Sequence, residues 1–223
     1  MNSEFEISGV TLKTKSDLAK DPSKISDVVG LENLKDKVIA IKKAIAEKSK
    51  EIALPKGLLF AGLPGCGKTF FGKIFTKEIG YNFMYVPSSE LVSGFQGAGK
   101  NKMKKIFKWA RSLGTCVIFF DEVDAIGKDR NQFEDSGSVL QQFLTEMDGQ
   151  ENNNGLIVIA ATNVLDQLDK AFIRSGRFDS IFNFDAPNLK QRTEAFKTYN
   201  LPGRIDYRVI AEITEGRSFA DIV

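Results

Sequence analysis

The chain has 223 residues, 42% of them apolar, and a formal net charge of +2. That length suits one large domain, or one domain and part of a second, with enough apolar material for a packed core. The charge is too small to argue for nucleic acid or a lipid surface, no apolar run approaches the ~20 residues that cross a bilayer, and Cys66 and Cys116 form no CxxC in a chain without histidine, which argues against most zinc sites and a disulfide framework. The chain reads as intracellular, in the cytoplasm or an equivalent reducing compartment.

Residues 1–24 are weakly patterned and end in Asp21-Pro-Ser-Lys24, so they read as an arm or linker. From Leu31 to Ile52, Leu34, Val38, Ile41 and Ile45 recur at helical spacing among lysines and glutamates, which predicts an amphipathic helix. Strands follow at Gly57 to Ala61, Asn82 to Pro87, Thr115 to Phe120, Leu156 to Ala161 and Ser180 to Phe184, alternating with helical segments. Strands that are apolar throughout predict a parallel sheet covered on both faces. In the helix after the second strand, Met103, Ile106, Phe107 and Ala110 mark the buried side, leaving the basic cluster of Lys100, Lys102, Lys104, Lys105, Lys108 and Arg111 outside. That basic face permits an acidic neighbour or nucleic acid, and nothing else in the chain requires the latter. Asp185-Ala-Pro-Asn188 closes the last strand; helices are expected over Leu189 to Tyr199 and Asp206 to Thr214, and Ser218 to Val223 reads as the start of another.

Three strand ends carry the chemistry. GLPGCGKT, Gly62 to Thr69, is a GxxxxGK[ST] loop between a strand and a helix. Its glycines let backbone N–H groups close on phosphate oxygens, Lys68 reaches the β and γ phosphates, and the Thr69 hydroxyl binds Mg²⁺. Four apolar residues lead into Asp121-Glu122, which offers Asp121 for the metal, through water, and Glu122 to polarise the attacking water. A third buried strand ends in Thr162-Asn163, placing Asn163 beside the γ phosphate. Downstream, Arg174 and Arg177 flank Gly176, and guanidinium groups suit a developing phosphoryl charge.

From about Ile25 onward the chain resembles an AAA+ ATPase of the classical AAA clade, and most of all an FtsH-type ATPase module. The likeness rests on DVVG before the first helix, GLPGCGKT, IFFDEVDAIG, LTEMDG, IAATN and IRSGRFD. It implies a P-loop NTPase fold: an α/β three-layer αβα sandwich around a five-stranded parallel sheet over residues 25–187, then the start of a helical lid, truncated or minimal, over 188–223. The implied cofactors are ATP and Mg²⁺. Gly62, Pro64, Gly65, Gly67, Lys68, Thr69 and Asp121 would hold the phosphates and metal; Asp27, Gly30, Cys66, Phe70 and Ala220 would surround the rest of the nucleotide. Glu122 and Asn163 would be catalytic, and Arg174 and Arg177 would be arginine fingers entering a neighbouring subunit, which implies a homo-oligomeric ring, usually hexameric. The segment Ser93 to Gly99 matches an aromatic pore loop in which Phe95, with Gln96 and Gly97, would grip a polypeptide substrate.

The activity implied is an ATP-hydrolysing motor that unfolds, threads or remodels proteins. The alternatives are a nucleotide-gated assembly module with slow or no hydrolysis, which a short lid favours, and the ATPase fragment of a longer FtsH-type protease. Without histidine no HExxH is possible in this sequence, so proteolysis calls for a separate protease, and substrate choice for an adaptor. Two departures stand out. Cys66 replaces a threonine at a helix N-terminus, where a thiol pKa can fall and invite oxidation, the simpler reading being a small tolerated residue, and Phe219-Ala220-Asp221 stands where Gly-Ala-Asp is usual in the segment that, by the resemblance, covers the adenine.

Overall fold

Four of the strands are predominantly buried on both faces because helices cover both. The computed structural model describes residues 7–47, 54–92, 97–127, 134–149, 154–174, 176–198 and 206–222. Among these, β1 (Thr11–Lys13), β2 (Gly57–Gly62), β3 (Asn82–Pro87), β4 (Cys116–Asp121), β5 (Leu156–Thr162) and β6 (Phe178–Phe184) form one sheet in the order β1-β3-β4-β5-β2-β6. β2 to β6 are mutually parallel, as the sequence leads one to expect, and β1 adds a sixth strand antiparallel to β3.

Side chains alternate across the sheet. Leu58, Phe60, Phe119 and Ile159 point into one layer with α2 (Glu32–Ala46) and α3 (Lys68–Ile79). Leu59, Ile118, Phe120 and Val158 point into the other with α5 (Ala98–Ser112) and α7 (Glu134–Asp148). Phenylalanines dominate both. Phe60 meets Phe71, Phe119 and Phe182 edge-on at 6.0 to 6.3 Å between centroids, and Phe143 meets Phe120 edge-on at 4.9 Å. Edge-to-face contacts of this kind add to the area term that drives burial.

Residues 7–24, expected as an arm or linker, are folded onto the sheet edge. β1 pairs with β3, Thr14 caps α1 (Lys15–Ala19) through a reciprocal box with Asp17, and Leu18 is buried. Lys77 of α3 donates to the carbonyls of Asp21 and Ser23. A three-residue strand has too little alternation to announce itself in sequence.

Short helices α4 (Ser89–Val92) and α6 (Asp124–Gly127) link strands to the longer helices, and the chain beyond β6 forms α8 (Leu189–Thr198), α9 (Tyr207–Ile213) and α10 (Phe219–Ile222). The buried Arg192 of α8 donates to the carbonyls of Ala211 and Pro187, joining α8 to α9. Because β2, β4 and β5 are adjacent and parallel, their polar C-terminal residues meet along one edge, where open α/β sheets form crevices.

Candidate nucleotide site

β2 ends at Gly62, whose φ is 147° and where a Cβ would lie 2.2 Å from the carbonyl oxygen of Phe184, so no side chain fits. The loop closes at Gly67, φ 91°, with open space above it. Gly67 is the N-cap of α3 and supplies no side-chain cap, leaving the first-turn N–H groups of a twelve-residue helix available to an anion. Lys68 is only 8% exposed, and its ammonium donates to the carbonyls of Gly62 (2.7 Å) and Leu63 (2.8 Å) and to Asn163 Oδ1 (2.7 Å). Burial lowers its pKa, against the pull of Asp121, Asp124 and Glu122. A buried cation with carboxylates nearby and a wall of N–H groups is a receptor for a polyanion.

Opposite stands Asp121, at the end of β4. Its Oδ2 accepts from Thr69 Oγ1 at 3.0 Å and from the Tyr85 hydroxyl at 3.1 Å, and its Oδ1 accepts from the Glu122 N–H at 3.1 Å. Burial, then the Asp121 charge, pushes the Tyr85 phenol up to about 12. Among the described residues no group of three or more His, Cys, Asp or Glu side chains is placed to hold a metal alone. One hydroxyl and one neighbouring carboxylate suit Mg²⁺, which keeps several waters and takes other ligands from a substrate's phosphates.

Glu122 has φ 51°, one of two left-handed non-glycine residues among those described. That turn swings its exposed carboxylate off the line of β4. Backbone strain of this kind costs about 1–2 kcal/mol and gathers at functional sites. At the end of β5, buried Thr162 donates to Asp124 Oδ1 at 3.0 Å and accepts from the Val164 N–H at 3.1 Å, fixing the chain on either side of Asn163.

These groups line one cleft of about 430 Å³: Pro64, Gly65, Gly67, Lys68, Thr69 and Phe70 from the loop and α3, Asp121, Glu122 and Asn163 from the strand ends, and Phe219 and Ala220 from α10. A second, narrower cavity of about 70 Å³ adjoins it, lined by Asp27, Val28, Cys66, Phe70, Thr198 and Phe219 among others. The Ala220 N–H donates to the Gly65 carbonyl at 3.0 Å, tying α10 to the loop. Gly30 lines neither cavity; with φ 74° it turns the chain beneath Gln191. Of the two readings of Cys66, a thiol of lowered pKa and a small tolerated residue, the second fits its surroundings. Its side chain is buried, and desolvation raises the thiol in spite of Lys68.

The two arginines lie apart from both cavities and differ from each other. Arg174 is exposed. Arg177 is bound within its own chain: Nε and Nη2 donate to the two carboxylate oxygens of Asp148 at 2.8 and 2.7 Å, and Nη1 to the Ala171 carbonyl at 2.8 Å. Phe95 and Gln96 lie outside the described residues, while Gly97, φ 82°, is the N-cap of α5. Sequence reasoning missed two participants and left a third, Phe219, only as part of a segment. Tyr85 and Asp148 act through contacts across strands and between distant segments, which spacing does not reveal; Phe219 was visible as a departure, and only the fold places it between the two cavities.

Residues 58–186 match the family model described as "ATPase family associated with various cellular activities (AAA)". The chain is 38% identical to the ATP-dependent zinc metalloprotease FTSH 2, chloroplastic, of Oryza sativa subsp. japonica, across 88% of this chain and 31% of that protein. It is 39% identical to the ATP-dependent zinc metalloprotease FtsH of Parabacteroides distasonis, across 88% and 31%. With the proteasome-activating nucleotidase of Thermococcus onnurineus the identity is 42%, across 75% of this chain and 44% of that protein. The chain thus spans under half the length of each of these relatives.

Proposed function

This chain belongs to the AAA family of ATPases, and from that membership we propose that it is the ATPase module of a ring-shaped motor that unfolds, threads or remodels polypeptides. The observation that carries the reading is the cleft itself, in which Lys68, Thr69, Asp121, Glu122 and Asn163 converge from three strand ends. ATP with Mg²⁺ is the proposed cofactor. The loop N–H groups and Lys68 would bind the phosphates, and the metal would be held by Thr69 and, through water, Asp121, supplying Lewis-acid stabilisation of the transferring phosphoryl group. Glu122 accepts a proton from the attacking water, and Asn163, already hydrogen-bonded to Lys68, orients that water. The narrower cavity between Val28, Cys66 and Phe219 takes the base, with Asp27 at its rim.

In this reading the site is completed by a second copy. Arg174, exposed and outside the cleft, supplies the guanidinium across the interface. Arg177, whose donors go to Asp148 and Ala171, supports the loop that presents it, or exchanges those partners on assembly. A homo-oligomeric ring, usually of six in such motors, follows, and the proposed grip on the threaded chain is that of Phe95 with Gln96 and Gly97. Residues 188–222 begin the lid, which Ala220 ties to Gly65. Relatives named as proteases or as a proteasome activator support coupling to a proteolytic partner, supplied by a longer parent chain or a separate protein.

The test is ATP turnover per subunit as protein concentration rises from nanomolar to tens of micromolar, with Glu122→Gln as the blank. A trans arginine is worth roughly 10³ to 10⁵ in rate, so a steep rise that the blank and Arg174→Ala both abolish is expected. A flat line at the level of the blank would instead support a nucleotide-gated assembly module.

A further inference from the structure

We propose that Tyr85 is a positioning residue for the metal site, holding the Asp121 carboxylate at the distance from which it serves the cation through water. The proposal rests on the reading of the cleft as a Mg²⁺–nucleotide site. Asp121 Oδ2 has two side-chain donors, Thr69 Oγ1 at 3.0 Å and the Tyr85 hydroxyl at 3.1 Å. The Thr69 hydroxyl is also the group the cation needs as a ligand. Once its oxygen turns to a metal, Tyr85 is the side-chain donor left on Oδ2, while the Glu122 N–H stays on Oδ1.

The ring is well anchored for that task. Tyr85 lies in β3 with Phe119 opposite it in β4 and Thr11 opposite it in β1, and its ring stacks on that of Phe119 at 6.2 Å and 15°. Phe83, the next side chain on the same face, also packs against Phe119. A phenylalanine at position 85 would keep this packing, so packing alone does not account for the hydroxyl. What the hydroxyl adds is one directed bond to a carboxylate, from a ring fixed between two strands. Partners of this kind orient metal-binding groups, and their loss typically weakens metal binding by roughly 10- to 100-fold.

Tyr85→Phe in the full chain tests this, with affinity for a fluorescent ATP analogue as the readout, in EDTA and across a Mg²⁺ titration. The expected result is unchanged affinity in EDTA and a half-saturating Mg²⁺ concentration raised about tenfold. In an Asp121→Ala background the same substitution should add nothing, because the acceptor of the bond it removes is already gone. A Mg²⁺ midpoint within twofold of the parent's would overturn the proposal, as would an equal loss in EDTA and Mg²⁺, which marks general damage to the cleft. If the unaltered protein shows no strengthening by Mg²⁺ at all, the metal reading of the cleft falls and takes the role of Tyr85 with it.

Discussion

Glu122 carries two demands that pull against each other, a carboxylate at the mouth of the cleft and a left-handed backbone that glutamate resists. Asparagine tolerates that conformation better than glutamine does. Glu122→Asn and Glu122→Gln should therefore both lose turnover, yet the asparagine variant should be the more stable of the two by up to about 1 kcal/mol, a difference visible in their melting temperatures. Cys66 shows the opposite case, where position promises reactivity and burial removes it. Desolvation raises the Cys66 thiol and drives that of Cys116 up to about 12, so both are protonated at neutral pH. Iodoacetamide should label neither in the native protein at pH 7.5 and both in denaturant, as mass spectrometry would show. At Gly72 an added Cβ would come within 2.6 Å of the fully buried Phe119 ring. Gly72→Ala should cost about 1–3 kcal/mol by overpacking, a fall of roughly 2–12 °C in melting temperature.

Between elements, the fork joining Arg177 to Asp148 ties the end of α7 to the segment that carries both arginines. The hydrogen bonds and charge of Arg177 lower the Asp148 pKa, and the sign of the pH effect follows. A depressed carboxyl stabilises the fold above its ordinary value, near 4, and that contribution is lost as pH falls through the lowered value. Asp148→Asn should therefore lower the melting temperature at pH 7, by an amount worth about 1 kcal/mol or less since Asp148 is half exposed, and the gap from the parent should close below about pH 4. The edge strand offers another test. Removing residues 1–14 uncovers the outer hydrogen-bonding groups of β3, and an unprotected edge invites pairing between molecules, so light scattering on warming should begin at a lower temperature. Much at this scale was legible beforehand. The five parallel strands and the loop from Gly62 to Thr69 are written in contiguous residues whose spacing is itself the signal. β1 is too short to alternate, the left-handed turn at Glu122 leaves no mark in composition, and the contacts of Tyr85 and Arg177 join segments that only the folded sheet brings together.

Across the whole molecule, the cleft is a seam: its floor is the sheet, one wall is the loop before α3, and the other wall is α10, joined to the loop by the bond from Ala220 to Gly65. Weakening that wall by Phe219→Gly should leave the sheet intact and reduce nucleotide affinity several-fold, because Phe219 borders both cavities; titration with a fluorescent ATP analogue would measure it. The order of the strands also sets a timetable. β2, which delivers the phosphate loop, lies between β5 and β6, which begin at Leu156 and Phe178. On the ribosome the loop is therefore made long before the strands that flank β2 exist. At roughly 5–20 residues per second, the wait between Gly62 and Leu156 is about 5 to 20 seconds. During that interval the nascent chain holds a complete phosphate-binding motif in sequence and no cleft in space, so nucleotide can assist its folding only once Leu156 to Phe184 have been made.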